Sequence, residues 1–294
     1  MKPPAFLYHA PDGLQAALEL ISGLEEAKVL AGGQSLMPML NMRYVQPKHV
    51  VDLNRIQELS FVSEGDGRLS IGAMTRHREI EFSPTIRRHL PILHEAILQV
   101  GHRQTRNRGT LGGSLAHLDP AAELPLVAAT LGATVQVRNL RASRAIQMEA
   151  FPLAYMTPAI EPDELITSVE FPVWPARHGY AFLEFARRLG DFAIVAAAVL
   201  MTTDEKGRVA RCSIYVGGIG PAPIRCDEAE KLLIGEQGSD KLFAAAAETC
   251  RTFDAMNDAF APSWYRQHLA TVLIRRAIEV AFRRVTQDAR GGRA

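Results

Sequence analysis

The chain has 294 residues, of which 47% are hydrophobic and 22% are charged, and its formal net charge at pH 7 is +1. This length suits about two domains of ~150 residues each, and the even charge balance argues against a dedicated nucleic-acid-binding protein. No run approaches the ~20 apolar residues of a membrane-spanning helix, and Met1-Lys2-Pro3-Pro4 does not begin a secretory signal.

The first half of the chain is predicted to mix short helices with short strands. Apolar residues recur at helical spacing from Leu14 to Ile21, directly after the turn Pro11-Asp12-Gly13. Strands are predicted at residues 28–31, 49–53, 68–74 and 133–137. Helices are predicted at about residues 76–82, 84–100 and 120–131, and Asp119 is a candidate cap for the last of them.

The pattern changes around Pro172-Val173-Trp174-Pro175, which predicts a domain boundary near residue 175. Beyond it, β-rich runs are predicted at residues 180–187, 194–203 and 209–216, and a helix with one apolar stripe closes the chain. The predicted class is therefore α+β, with one domain at residues 1–175 and a smaller one at residues 176–288.

Two segments share one design, in which paired glycines are followed by a hydroxyl residue and then an apolar residue. They are Ala31-Gly32-Gly33-Gln34-Ser35-Leu36 and Thr110-Leu111-Gly112-Gly113-Ser114-Leu115. Paired glycines let a backbone turn tightly and direct its N–H groups at an anion, so two such segments could bind the two phosphates of a dinucleotide. The alternative is that each pair is only a turn, which is how a third pair, Gly217-Gly218, is interpreted.

The common nucleotide and catalytic motifs are absent from the sequence. There is no GxGxxG, no GxxxxGK[ST], no HExxH, and Ser114 does not lie in GxSxG. The basic stretch from His102 to Arg108 is either a solvated loop or a cluster of cations beside a pyrophosphate or a partner. The three cysteines, at positions 212, 226 and 250, suit a reducing compartment and are too few for the four thiolates of an iron–sulfur cluster.

A resemblance to a known family extends over nearly the whole chain. The matching segments, in chain order, are residues 31–38, 106–117, 119–125, 165–167, 171–172, 187–193, 217–218, 223–225, 265–266 and 275–277. Through them the sequence resembles the FAD-binding medium subunit of molybdenum hydroxylases. It is most similar to carbon monoxide dehydrogenase medium subunits and more distantly similar to the flavin segment of xanthine dehydrogenase.

The resemblance implies a split FAD-binding domain of the vanillyl-alcohol-oxidase (PCMH) type, then a smaller α+β domain with a three-stranded antiparallel sheet. It implies non-covalent FAD in this chain, with [2Fe-2S] clusters in a small partner subunit and the molybdenum cofactor in a large one. The implied function is electron transfer from the iron–sulfur subunit to an external acceptor. The implied complex is a cytoplasmic dimer of heterotrimers without membrane spans or nucleic acid.

The resemblance also assigns residues to the FAD site. Ala31 to Ser35 would bind the FAD pyrophosphate, and Thr110 to Ser114 would complete the pyrophosphate-binding site. Ile166, Asp191 and Phe192 would lie near the flavin ring. The full set is Ala31, Gly32, Gly33, Gln34, Ser35, Leu36, Thr110, Leu111, Gly112, Gly113, Ser114, Glu123, Ile166, Asp191 and Phe192. No side chain is expected to act as a catalytic acid or base or to bind a metal.

Two positions depart from the family pattern. Gln34 stands where carbon monoxide dehydrogenases have His, and Ser114 stands where the xanthine dehydrogenase branch has Asn. Neither departure excludes FAD, but both weaken any assignment of a substrate. A stand-alone flavin oxidase or dehydrogenase, and a flavin-free assembly module, are the two alternative functions.

Overall fold

The computed structural model describes the backbone of residues 1–291 and the side chains of residues 1–287. Its first layer is a parallel sheet of β1 (Leu7–His9), β2 (Ala27–Leu30) and β3 (His49–Asp52) in the order β1-β3-β2. Helix α1 (Leu14–Gly23) joins β1 to β2, and α2 (Leu36–Asn41) joins β2 to β3. The predicted apolar face of α1 is confirmed, because Leu14, Ala17, Leu18 and Ile21 are its buried residues.

The second layer is a five-stranded antiparallel sheet with helices packed on one face. Its strands, in spatial order, are β4 (Val62–Gly65), β5 (Arg68–Gly72), β10 (Leu165–Pro172), β6 (Thr134–Arg138) and β7 (Ser143–Gln147). Strands β8 (Pro152–Ala154) and β9 (Thr157–Pro158) form a separate hairpin, and short 3-10 helices lie at Gln57–Leu59 and Met148–Ala150. The helices are α3 (His77–Phe82), α4 (Pro84–His89), α5 (Pro91–Gln99), α6 (Arg103–Arg108), α7 (Leu111–His117) and α8 (Glu123–Leu131).

Two predicted helix boundaries in this region were wrong. The helix predicted at residues 84–100 is two helices, because Leu90 leaves the helical region (φ −130°, ψ 58°) and Pro91 starts a new one. Helix α8 begins at Glu123, and the Asp119 carboxylate instead accepts a hydrogen bond from the Ala121 N–H at 2.8 Å. The basic stretch is a helix rather than a loop.

The C-terminal part contains the three predicted antiparallel strands and a fourth of two residues. These are β11 (Gly179–Phe185), β12 (Val195–Thr203), β13 (Val209–Gly217) and β14 (Ile224–Arg225), paired in that order. Helices α9 (Asp227–Leu233), α10 (Asp240–Glu248) and α11 (Ser263–Gly291), with a 3-10 helix at Thr249–Thr252, follow the sheet. Alternate residues of this sheet enter two different cores: Phe182, Ala196 and Ala198 pack with the first half of the chain, whereas Ala181 and Ala197 pack with α11.

No helix within residues 1–291 has the length and apolar character needed to cross a bilayer. Helix α11 is the longest described, yet its apolar residues form one stripe rather than a continuous surface.

Candidate cofactor site

The first glycine segment connects the end of β2 to the start of α2. Gly33 has φ +74°, a left-handed conformation that favours glycine. Within the described residues, the backbone N–H groups of residues 32–35 donate no hydrogen bond to the rest of the protein. A tight turn with several free N–H groups is a common way for a backbone to bind an anionic group. This segment can therefore supply donors to a phosphate.

The second glycine segment is the first turn of α7 rather than an open loop. Thr110 caps the helix: its Oγ1 accepts from the Gly113 N–H at 3.1 Å and its carbonyl accepts from the Ser114 N–H at 3.1 Å. The N–H groups of Leu111 and Gly112 donate to the carbonyls of residues 75 and 73. Because these N–H groups already have partners, the segment can offer a ligand mainly its glycine surface and the Ser114 hydroxyl.

The two segments are in direct contact although almost eighty residues separate them in the sequence. A methyl group added to Gly32 would overlap the Arg108 carbonyl oxygen and lie only 2.8 Å from the Gly109 Cα. One added to Gly113 would lie 2.7 Å from Thr110 Oγ1 and 3.4 Å from the Ala31 Cβ. Glycine is therefore required at residue 32 by the close approach of two backbones, and at residue 113 by the Thr110 hydroxyl that caps the helix.

Two side chains that the sequence reasoning missed join the segments. The Asn54 amide donates to the Ala31 carbonyl at 2.9 Å, and the Arg76 guanidinium donates to the Arg108 carbonyl and to the Asn54 side-chain oxygen. Asn54 is held in turn by Asp52, whose carboxylate accepts from the Asn54 N–H at 2.9 Å. The spacing Asp52-x-Asn54, which is typical of an Asx turn after a strand, is the one local signal that could have drawn attention to Asn54.

His77 supports the second segment from inside the protein. His77 is buried. Its backbone N–H donates to the Gly109 carbonyl at 2.9 Å, and its ring Nε2 donates to the Thr110 carbonyl at 2.9 Å. Burial lowers the pKa of His77 to about 4, so the ring is neutral at pH 7. Sequence reasoning gave His77 no role because a lone histidine in a helix carries no pattern.

Glu123 lies at the start of α8 and is only 5% exposed. Burial, reinforced by the charge of Glu184, raises the pKa of Glu123 to about 8. Burial also raises the pKa of Glu184 to about 7, and one of its carboxylate oxygens is buried with no partner among the described residues. Glu123 lies in the first half of the chain and Glu184 on β11 in the second, close enough for its charge to affect the pKa of Glu123. The sequence alone did not predict the role of Glu184.

The remaining predicted residues occupy two different environments. Ile166 is buried in the core on β10. Asp191 and Phe192 lie in the connection between β11 and β12, where the Phe192 side chain is 60% exposed. In the same connection, a methyl group on Gly190 would lie 2.7 Å from the His102 ring, so this connection packs against the start of α6.

Helix α6 thus spans the distance from the β11–β12 connection to the glycine segments. Arg106 of this helix has a structural role, because its guanidinium pairs with Glu81 at 2.9 Å and donates to the carbonyls of Val100 and Gly101. Of the two interpretations of the basic stretch, the cation cluster is not supported at Arg106. The stretch acts as a spacer whose Arg108 carbonyl contacts the first glycine segment.

The fold and these contacts define an α+β protein in which a glycine turn with free N–H groups, suited to an anionic group, meets a second glycine segment beside the C-terminal sheet. Known families resolve the class further. Residues 4–174 match the model of the FAD binding domain in molybdopterin dehydrogenase, and residues 180–281 match that of the CO dehydrogenase flavoprotein C-terminal domain.

Individual relatives match from end to end. The 6-hydroxypseudooxynicotine dehydrogenase complex subunit alpha of Paenarthrobacter nicotinovorans is 42% identical, covering 97% of each chain. The carbon monoxide dehydrogenase medium chain of Afipia carboxidovorans is 35% identical, covering 96% of this chain and 98% of its own. A chain of the carbon monoxide dehydrogenase structure from Hydrogenophaga pseudoflava superimposes with a TM-score of 0.94 at 32% identity, covering 97% and 99%.

The chain belongs to the family of FAD-binding subunits of molybdenum hydroxylases. The predicted family and fold class are therefore confirmed. Its identity to the 6-hydroxypseudooxynicotine subunit exceeds that to the Afipia carbon monoxide dehydrogenase chain. The expectation that carbon monoxide dehydrogenase medium subunits are the most similar group is therefore not supported.

Proposed function

We propose that this chain is the FAD-binding electron-transfer subunit of a heteromeric molybdenum-dependent hydroxylase or dehydrogenase. It takes electrons from a small iron–sulfur subunit and passes them to an external acceptor. The observation that carries the proposal is the contact between the two glycine segments, beside the free N–H groups of residues 32–35. Free N–H donors in a tight turn, with Gly33 in the left-handed conformation, fit a pyrophosphate held without a covalent bond.

The predicted residues have different roles in the proposed site. Ala31 to Leu36 supply backbone donors to the phosphates, and Thr110 to Ser114 supply a close-packed wall and the Ser114 hydroxyl. Asn54 and Arg76 hold these two segments together. We propose Glu123, Ile166, Asp191 and Phe192 for the flavin end of the site. FAD, when bound, can take electrons singly and deliver a pair, while the protein binds and orients it.

The molybdenum cofactor and the iron–sulfur clusters belong to partner subunits. Within residues 1–287, whose side chains are described, no cluster of three or more His, Cys, Asp or Glu residues could hold a metal ion, and the three cysteines are buried free thiols. We propose a small iron–sulfur subunit and a large molybdenum subunit, assembled as a dimer of heterotrimers in the cytoplasm. Reduced thiols are compatible with that compartment.

The substrate is not chosen by this chain. Relatives named for 6-hydroxypseudooxynicotine and for carbon monoxide share its full length, although these two molecules have little chemistry in common. Gln34 and Ser114 lie in segments proposed to bind phosphate, not substrate. We also propose that the sequence divides into domains at residues 1–175 and 176–288, which agrees with the change of pattern near Pro175.

The test is to purify the native complex through this chain and to record its visible spectrum, subunit masses and metal content. A flavin band, two co-purifying subunits, and molybdenum and iron in the complex are expected. Oxidation of an organic substrate by the single chain, without metals, would instead indicate a stand-alone flavin enzyme. Absence of a flavin band even after FAD is added would indicate a flavin-free assembly module.

A further inference from the structure

Arg266, near the start of α11, is a buried cation that the proposed function has not used. It is 4% exposed and lies in the interior of the C-terminal domain. Its Nη1 donates to the Ile194 carbonyl at 2.6 Å and to the Gly218 carbonyl at 2.7 Å, and its Nη2 pairs with Asp258 at 2.7 Å. A guanidinium is costly to remove from water, so its burial indicates that these three acceptors are important.

The two carbonyls belong to the base of the connection that carries Asp191 and Phe192. Ile194 is the last residue before β12, and its N–H donates to the Phe185 carbonyl at 2.7 Å, which closes the connection. Gly218 follows β13 and has φ +76°. A methyl group there would lie 3.1 Å from the Ile194 carbonyl carbon, so the two backbones Arg266 joins already touch.

Gly218 extends the linkage into the other half of the chain. Its N–H donates to the Pro120 carbonyl at 2.9 Å, and Pro120 lies three residues before Glu123. One side chain thus bonds the connection that carries Asp191 and Phe192 and, through the single residue Gly218, the segment that leads to Glu123. The glycine segments take no part in this network.

We propose that Arg266 is a positioning residue for the flavin end of the site. It holds the β11–β12 connection and the start of α8 at a fixed separation, while the glycine segments hold the phosphates independently. This inference rests on the proposed function. Its chemical basis is the planar guanidinium, which reaches two carbonyls and a carboxylate at once, whereas the point charge of a lysine cannot match all three directions.

The test uses the intact complex with Arg266→Lys and Asp258→Asn. Asp258→Asn removes the counter-ion of Arg266 but keeps a side-chain oxygen that can accept from the Phe260 and Ala261 N–H groups. The control is Arg284→Lys, because Arg284 lies on the same helix and makes bonds of the same kind, to the Tyr180 carbonyl and to Glu95, both at 2.7 Å. For each complex we would measure FAD content, thermal stability, the visible flavin spectrum and the flavin reduction potential. Reoxidation of photoreduced flavin by dichlorophenolindophenol would be followed as a function of dye concentration.

We expect both test variants to keep their FAD. In both, the flavin spectrum, the flavin reduction potential and the dye dependence of reoxidation should differ from wild type, and each property should shift in the same direction in the two variants. The control should change thermal stability only. The inference is overturned if both test variants match wild type in these flavin properties, or if the control alters them equally. Failure of the proposed function looks different, because the wild-type complex would then contain no FAD.

Discussion

Replacing Gly32 with alanine is the most direct test of the contact between the glycine segments. The new methyl group would lie 2.8 Å from the Gly109 Cα and 2.9 Å from the Arg108 carbonyl carbon. Ordinary contacts between such atoms are about 3.4–4 Å, so the segments must separate by about 0.5–1 Å, and overpacking of this kind costs ~1–3 kcal/mol. Asn54 and Arg76 together oppose the separation, because Asn54 bonds the Ala31 carbonyl and Arg76 bonds the Arg108 carbonyl. We expect the FAD affinity to fall about tenfold or more, since ~1.4 kcal/mol corresponds to a factor of ten.

The assay is an FAD titration of the purified chain, followed by flavin fluorescence, with thermal unfolding recorded in parallel. Gly23→Ala is the matched control, because a methyl group at Gly23 meets nothing within 4 Å and the residue ends helix α1. The control should bind FAD as wild type does. Wild-type FAD affinity in Gly32→Ala would refute the reasoning, since it would mean that the contact of the two segments has no bearing on the cofactor.

The other predictions concern the second segment, the bridge and the buried acid. Gly113→Val should abolish FAD retention on gel filtration, because its side chain would collide with Thr110 Oγ1 at 2.7 Å and break the helix cap; full flavin occupancy would show that the site is misplaced. Arg76→Met should weaken FAD binding in a titration by unlinking the segments, whereas the exposed Arg87→Met should leave it unchanged. Glu123→Gln should flatten the pH dependence of the free energy of unfolding between about 4.5 and 8. In wild type the folded state holds the proton of Glu123 more tightly than the unfolded state, so stability falls as pH rises through this window. The loss amounts to at most about 5 kcal/mol at ~1.4 kcal/mol per pKa unit, and identical urea-denaturation profiles for variant and wild type would contradict it.

The spacing of apolar residues was sufficient to predict those elements in which buried residues recur at one regular interval. Helix α1 was predicted because it buries one face, which sets the spacing of its apolar residues. The central strand of the C-terminal sheet was predicted because both of its faces are packed, which gives a continuous apolar run. Apolar spacing failed at Leu111 to His117, where two glycines argued against a helix. There Gly112 packs so closely on Ala73 that no larger residue fits, and this packing overrides the low helix propensity of glycine.

The candidate site was predictable only in part for a similar reason. The glycine pairs are visible in the sequence because their chemistry is local. Asn54, Arg76 and Arg266 act on backbone carbonyls that lie 23 to 72 residues away in the chain, so no spacing predicts them. Glu184 gains its raised pKa from the packing of two halves of the chain, which composition does not encode.

The C-terminal sheet explains how the parts of the proposed site keep their relative positions. Phe182, Ala198 and Tyr215 on one face of that sheet belong to the same core as Leu69 and Val169 of the five-stranded sheet. Separating the two halves would expose this apolar surface at about 25 cal/mol for each Å². The sequence boundary near residue 175 is therefore not a hinge. The proposed site, which combines glycine segments from one half with the β11–β12 connection from the other, can therefore be rigid, which suits an electron relay whose distances must not vary.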